Sequence, residues 1–595
     1  MARAKSGKSG KSGKSSTRKS SISEKPSIAA DSSTTTKPSI TSKSSSDKPW
    51  PYAAGYDNTP EVLEPAPLTV KGTIPPWLEG ALYRSGPGAY DLKSESGKDI
   101  TIQHWFDGLA MIHRYEIQKG GRVSYRSRYT SNDLRERYKK AEAITGVTFC
   151  QRDPCKTAFQ KFFTTFKMAA FGGPKMGGTD TNVAVIPTIN FPGLMDDPDY
   201  KTRKGKSGPR NLVMTTDGNA LQELDPITLE PLRLFSYGAI DDSLNASNLA
   251  PAHPCVDPDT NEYFTVLLTF GPTALYKVVR IRQSIKGPEH EPDLDVLAEI
   301  TSPRPTYMHS FCMTKRYVVV CHWQCDFAAA GVSVLWYGNA WESFKSHDPN
   351  VKASFYVVDR HQGRHVATFE TDPYYAFHTI NAFDDDGDIV LDIAAYKDHT
   401  VIGDYYIENL RNETGGKPPQ QAMLRRYRLR NIAEQAALSH GKKGQPQPVP
   451  AQIDFELDES VNFELPSINP SRYLRNYRYA YGVNRSGMNK TLIYDRIIKV
   501  DLDKIKSGGN HSSSATFWME DQCTPSEPVF VPTPNSTEED DGVLLSIVLD
   551  GRRRTGFMLI LDAKTMKEIA RAEMPEGKVA PHNFHGVYVP NSVAA

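Results

Sequence analysis

Short runs rich in Val, Ile, Leu and aromatic residues recur along the chain from Trp50 onward. Examples are Phe264-Thr-Val-Leu-Leu268, Tyr317-Val-Val-Val-Cys321, Ile389-Val-Leu-Asp-Ile393 and Val543-Leu-Leu-Ser-Ile-Val548. Clusters of Gly, Pro, Asn and Asp separate them, the punctuation expected of strands and tight turns. Forty-two Gly and forty-two Pro leave little room for long helices. Only Asn431–His440 and the region around residues 133–143 carry a helical pattern. Three stretches share one plan: Leu221 to Leu232, Phe355 to Thr368 and Phe557 to Ile569. In each, an apolar-rich run ends in an Asp, a few turn residues follow, and a second run begins. One tight hairpin repeated along a chain predicts a β-propeller, in which every blade repeats a meander around a central axis. Six to eight blades from residue 50 onward would take roughly 70–90 residues each, more than the usual propeller repeat. No interval reads as an interdomain linker, so residues 49–595 are predicted to form one all-β domain.

Charge adds a tail to this body. The chain has 71 basic and 70 acidic side chains, a net charge of +1. Residues 1–48 hold nine Lys and two Arg against Glu24, Asp31 and Asp47, a net of +8 that leaves the body at −7. The tail repeats Lys-Ser-Gly and continues through Ser and Thr; such a composition buries too little apolar surface to offset chain entropy and is expected to be disordered. Overall balance gives no argument for a nucleic-acid partner, and none is expected. Seven Cys form neither an even set nor a CxxC spacing, which signals a reducing compartment and only weakly a zinc site. No run of about 18 uncharged apolar residues is present, and the basic N-terminus lacks the apolar core of a secretory signal. The expected location is cytoplasmic, with peripheral contact to a membrane surface.

Four of the fifteen His stand beside β-like runs in apolar surroundings: His253, His309, His378 and His585. Their separations of 56, 69 and 207 residues approximate one blade, one blade and three. Inner strands of a propeller all line the axis, so one residue per blade can converge on a point. Four neutral imidazoles meeting there suit a borderline divalent transition metal better than Mg²⁺ or Ca²⁺, which prefer oxygen.

The motifs themselves resemble the carotenoid cleavage oxygenase family. They are Ile74-Pro-Pro-Trp-Leu-Glu-Gly-Ala-Leu-Tyr-Arg-Ser-Gly-Pro-Gly88, His104-Trp-Phe-Asp-Gly108, the four His segments, Phe463-Glu-Leu-Pro-Ser-Ile-Asn469, Glu527-Pro-Val-Phe-Val-Pro532 and Glu538-Glu-Asp-Asp-Gly542. The resemblance runs from about residue 50 to the C-terminus. It implies a seven-bladed β-propeller with a helical and loop cap over the metal-bearing face. It also implies one Fe(II) per chain, held by His253, His309, His378 and His585, and a reaction with O₂ that splits a conjugated C=C bond into two carbonyl products. Carboxylates behind the ligands would be Glu464, Glu527 and Asp217, the last at a place where the family more often carries Glu. Outer carboxylates of this kind orient metal-bound His and offset the ion's charge. The Phe584-His585-Gly586 context selects His585 over its neighbour His582; His104, His113 and His322 read as structural.

An apolar polyene needs a long apolar tunnel opening toward lipid. Phe159, Phe162, Phe163 and Phe166, flanked by Lys156, Lys161, Lys167 and Lys175, have the spacing of an interfacial helix and are the candidate membrane-facing entrance. Relatives split either carotenoids or phenolic stilbenes. The stilbene cleavers are expected to hold the phenol with a Lys, at a position that here falls on Leu134. A missing polar partner disfavours a buried hydroxyl by at least about 1 kcal/mol, so a carotenoid is expected. Within the family the texture, including Ile240 to Ser247, is most similar to the fungal torulene-cleaving branch. The alternatives are stilbene cleavage, the isomerohydrolase activity of retinoid-processing relatives, and a non-catalytic propeller that serves as a binding scaffold.

Overall fold

The Asp that ends each repeated run clamps the turn after it. Asp225 Oδ1 accepts the N–H groups of Ile227 and Thr228 at 2.7 and 2.8 Å. Asp359 Oδ1 accepts those of His361 and Gln362 at 2.9 Å, and Asp562 Oδ1 accepts that of Thr565 at 2.6 Å. Four residues after each Asp the backbone turns left-handed, at Leu229, Gly363 and Met566 with φ of 63°, 60° and 59°. There its N–H bonds back to the Asp carbonyl at 2.8, 3.0 and 2.8 Å. Each hairpin also shifts register just before its Asp. Asp257 and Asn261 make a fourth copy, with φ of 57° and an N–H···O distance of 2.8 Å. The side chain thus supplies acceptors that an irregular turn would otherwise lack.

The computed structural model describes residues 50–152, 178–192, 194, 209–284, 292–413, 420–441, 444–488, 491–575 and 578–591. The basic tail and the predicted entrance residues Phe159, Phe162, Phe163 and Phe166 lie outside these residues. Seven sheets surround one axis as the blades of a propeller. Blade 1 joins Val62–Pro67, Arg122–Tyr129, Leu109–Gln118 and Gly80–Ala89 to the C-terminal strand Gly586–Pro590. Blade 2 holds Ile186–Ile189, Leu212–Thr215, Leu221–Leu224 and Pro231–Phe235. Blade 3 runs Cys255–Val256, Tyr263–Thr269, Ala274–Arg282 and Asp293–Ser302. Blade 4 runs Cys312–Met313, Tyr317–His322, Ala353–Asp359 and Arg364–Thr371, with Pro448–Pro450 added in parallel. Blade 5 holds Tyr375–Asp385, Asp388–Tyr396, Met423–Leu429 and Gln452–Glu456. Blade 6 holds Glu464–Ser467, Tyr479–Asn484, Arg496–Asp501 and Ala515–Trp518. In blade 7, Val529–Pro532 and Cys523–Pro525 flank Gly542–Asp550, followed by Thr555–Asp562, Glu568–Glu573 and Thr69–Gly72.

Both ends of the domain are stitched into the ring. Gly586–Pro590 pairs antiparallel with Gly80–Ala89, and Thr69–Gly72 pairs with Glu568–Glu573. Pairing of this kind makes the chain's two ends part of blades 1 and 7 and ties the ring closed. Strands Asp388–Tyr396 and Gly542–Asp550 are buried at every position because neighbouring blades pack on both faces. Their sequences therefore read as continuous apolar runs rather than alternating ones. The predicted helices appear as Asn132–Ala141 and Ile432–Ser439. The six described cysteines are free and buried. Among the described residues no helix is long and apolar enough to cross a membrane.

Candidate metal centre

Four blades aim an imidazole at one point on the axis. His253 and His309 lie just ahead of the inner strands of blades 3 and 4, His585 just ahead of Gly586–Pro590 in blade 1, and His378 within Tyr375–Asp385 of blade 5. The strand around His378 is bulged: Ala376 pairs with Ala395 and Thr379 with Ile393, so Phe377 and His378 together face Ala394. A bulge re-aims a side chain without ending the strand. One nitrogen from each ring lies within 4.8 Å of the others. His253 packs at ring-centroid distances of 4.8, 4.9 and 4.4 Å from His309, His378 and His585. The third interval, from His378 to His585, spans three blades.

The three blades that carry no imidazole of this set supply carboxylates. Asp217 follows Leu212–Thr215 in blade 2, Glu464 begins the inner strand of blade 6, and Glu527 precedes Val529–Pro532 in blade 7. His309 Nδ1 donates to Asp217 Oδ1 and Oδ2 at 2.8 and 3.0 Å. His378 Nδ1 donates to Glu464 Oε2 at 2.5 Å, and His585 Nδ1 to Glu527 Oε1 at 2.8 Å. Each bond holds the Nδ1–H tautomer and leaves the Nε2 lone pair facing inward. The Nε2 atoms of His378 and His585 consequently meet as two acceptors at 3.2 Å, and buried His253 Nε2 has no hydrogen-bond partner. Such an arrangement wants a cation between the lone pairs. Two nitrogens at about 2.1 Å from a metal and at right angles sit about 3 Å apart, so the residues present fit a divalent transition ion.

Burial keeps two of the rings, His253 and His585, neutral and able to act as ligands. Burial, aided by the three neighbouring rings, pushes His253 well below the usual imidazole range. Burial likewise lowers His585 to about 4 in spite of Glu527. Burial works against Glu527, yet His585 and the Arg84 guanidinium hold its carboxyl below the usual range. Arg84 is fully enclosed; its Nη1 donates to Glu527 Oε2 at 2.9 Å and Gly586 N–H donates to the same oxygen at 2.8 Å. Sequence reasoning assigned Arg84 no role, although it stands inside the quoted Tyr83-Arg84-Ser85 motif. Tyr307, two residues before His309, was missed as well: its hydroxyl donates to Asp217 Oδ2 at 2.9 Å.

An apolar cavity of about 300 Å³ opens onto His309, His378 and His585. Its inner wall is an aromatic cage: Phe106 meets Phe149 and Phe377 at 5.3 and 5.6 Å, and Trp105 meets Phe584 at 5.1 Å. Loop residues Val147, Thr148 and Ala340, with Val334 on the short helix Ser333–Tyr337, line its outer part, forming the expected cover over the histidines. No Lys or Arg lines it among the described residues. Leu134 does not reach it; that side chain is buried in the main core on helix Asn132–Ala141. The position expected for a phenol-binding Lys therefore lies off the cavity wall, and it is the lack of Lys and Arg in the described lining that disfavours a phenol. Asp107 ties the cover down, accepting the N–H groups of Phe149 and Cys150 at 2.6 and 2.7 Å.

The other histidines stay apart from the cluster. His104 Nε2 donates to the Ile402 carbonyl at 2.8 Å while its Nδ1 accepts Phe106 N–H. His113 bonds the Tyr125 hydroxyl, His322 bonds Tyr276, and His582 packs on Tyr56 at 4.8 Å.

Comparison with known proteins matches this geometry to a family. The signature of RPE65, retinal pigment epithelial membrane protein, covers residues 56–590. A torulene dioxygenase of Gibberella fujikuroi is 33% identical over 91% of this chain and 94% of its own length. A carotenoid dioxygenase of Neurospora crassa is 32% identical over 91% of each. Among solved structures, cobalt-substituted Synechocystis apocarotenoid oxygenase superimposes with a TM-score of 0.68 at 21% identity, covering 91% of this chain and 99% of that one.

Proposed function

The chain belongs to the RPE65/carotenoid oxygenase family, and from that premise we propose that it cleaves a carotenoid oxidatively, with torulene as substrate and one Fe(II) per chain. The observation that carries this reading is a cluster of four imidazoles, three of them backed by carboxylates and bordering an apolar cavity that no Lys or Arg lines among the described residues. Bound iron would supply activation of O₂, whose two atoms end as the carbonyl oxygens of two fragments of the split C=C bond. His253, His309, His378 and His585 are the residues that would hold the ion. Asp217, Glu464 and Glu527 keep the Nδ1 protons in place and offset its charge. Trp105, Phe106, Phe149, Phe377 and Phe584 offer faces and edges to a flat polyene, fix its position over the imidazoles and exclude water. A lipid-dissolved substrate also calls for contact with a membrane. The described rim of the cavity suits it: Val147, Val332, Trp336 and Tyr337 are exposed large apolar side chains beside the lining residues Val334 and Ala340.

Anaerobically purified protein loaded with Fe(II) should turn torulene into an apo-carotenal under ¹⁸O₂, with label in both products by mass spectrometry. Resveratrol should be left intact. Cleavage of resveratrol with torulene untouched would overturn the substrate class. His309→Ala should lose iron retention and activity together, and a fully active variant would remove the ligand assignment. Scission of unsaturated lipid-phase substrates predicts that Trp336→Ser weakens sedimentation with liposomes severalfold; unchanged sedimentation would count against the rim.

A further inference from the structure

Three of the four imidazoles border the apolar cavity; the fourth does not. His253 instead lines a second cavity, of about 520 Å³. The two spaces divide the chain at the histidines. Tyr307, Phe377 and Phe584, just before their ligands, face the first. Cys255, Phe311, Thr379 and Val587, just after His253, His309, His378 and His585, face the second. Inner strands of a propeller run the same way along the axis, so the second cavity is the axial channel beyond the histidines, and the four rings form a partition between two chambers. Among the described residues His253 is also the one ring of the four that no carboxylate backs. Among the described residues the channel lining carries no Asp, Glu, Lys or Arg, which makes it better suited to a small neutral molecule than to an ion. It brings together Pro254, Cys255, Cys312, Met313, Ala382 and Val587 from several blades.

Resting on the oxygenase reading above, a traffic problem follows. A rigid polyene seated over His309, His378 and His585 fills the chamber by which it came, and both substrates must reach the same ion. We propose that the axial chamber is the access route for O₂, which reaches the metal past His253 while the carotenoid occupies the opposite chamber. The polyene then need not leave room for diffusion along its own tunnel, and water can be kept from one side while gas is admitted from the other.

The test narrows the channel without touching the ligands or the carotenoid chamber. Val587→Phe adds bulk at a half-buried position of the lining, and Ala382→Val is a milder second variant should the first fold poorly. Nitric oxide reports access to Fe(II) without turnover. With torulene bound anaerobically, its association rate by stopped flow should fall severalfold in both variants. KM for O₂ should rise by a similar factor, while KM for torulene and iron content stay unchanged. Association rates and O₂ KM equal to wild type in both iron-replete variants would overturn the route. If the chain cleaves no torulene yet nitric oxide association still slows in the variants, the access route stands and the substrate assignment falls. A wild-type chain that retains no iron removes both.

Discussion

Glu527 and Glu464 do the same service for two histidines in opposite electrostatic settings. Glu527 lies between His585 and a fully buried Arg84, with Gly586 N–H on the same oxygen as the guanidinium. Its charge is balanced before any metal arrives. Among the described residues Glu464 pairs with no Arg or Lys: Oε2 takes His378 Nδ1 and the Leu465 N–H, each at 2.5 Å, and Oε1 is buried without a hydrogen-bond partner. A buried carboxylate left uncompensated is costly. A cation held by His378 would offset it. Blade 7 therefore balances its carboxylate within the fold, whereas the carboxylate of blade 6 would be balanced by a bound metal.

The comparison breaks most visibly at Arg84. Arg84→Met fits the space with an unbranched chain and strands Glu527 in the interior, where losing one partner of a buried pair costs about 3–5 kcal/mol. Urea denaturation of the metal-free protein should show that loss; a change below about 1 kcal/mol would mean Glu527 is not balanced by Arg84.

Asp107 supplies the next largest effect and a control, a carboxylate with neither His nor Arg beside it. Burial outweighs its bonds from Phe149, Cys150 and Gln151 and pushes its pKa up to about 6 from 3.8. The folded chain thus takes up this proton near pH 6 and the unfolded chain near 3.8. Ionisation of Asp107 costs stability above pH 6, and that cost disappears as pH falls from 6 toward 4. Its residual exposure makes about 3 kcal/mol the upper bound. Subtracting the stability curve of Asp107→Asn from that of wild type should leave a difference that rises as pH drops through this window. A flat difference would place Asp107 in a more hydrated setting.

Glu464→Gln should do the converse of Arg84→Met. No cation is left stranded, so the metal-free fold should hold within about 1 kcal/mol, while metal affinity falls roughly 10–100-fold with the loss of a charged partner for His378. Chelator competition measures it. Equal affinity in Glu464→Gln and wild type would erase the distinction drawn between the two blades.

What the sequence made legible follows how local each cause is. The Asp225, Asp359 and Asp562 turns act over four residues, and their repetition announced a propeller. The strand at Cys255 escaped because it has two residues, too few for a pattern. The histidines were legible as a set, since one per blade leaves a spacing; their carboxylates needed the family resemblance, because Asp217, Glu464 and Glu527 sit at no regular interval from their rings. Arg84 lies 443 positions from Glu527, and its meaning is burial, which composition does not show. The entrance expected at Phe159, Phe162, Phe163 and Phe166 lies outside the described residues, and the exposed Trp336 has no sequence signal because helix Ser333–Tyr337 is five residues long and offers no periodicity. The axial chamber is a product of packing among inner strands and has no sequence signature.

Asp217 is the most exposed of the three carboxylates and gives the finest test. Its side chain is 18% exposed against 2% for Glu464 and 11% for Glu527, so solvent already shares the task of stabilising its charge. It also has two neutral donors, the Tyr307 hydroxyl at 2.9 Å and Ala252 N–H at 3.2 Å. Asp217→Asn keeps an oxygen to receive His309 Nδ1–H and the geometry of the loop, and removes only charge. If burial of the carboxylate governs its worth to the metal, affinity should fall severalfold, at or below the low end of the range expected for Glu464→Gln. A loss as large as that of Glu464→Gln would show that charge at the ring matters irrespective of solvent. In that case His378 and His309 would be equivalent, and the contrast between cation-balanced and metal-balanced carboxylates would rest on Arg84 alone.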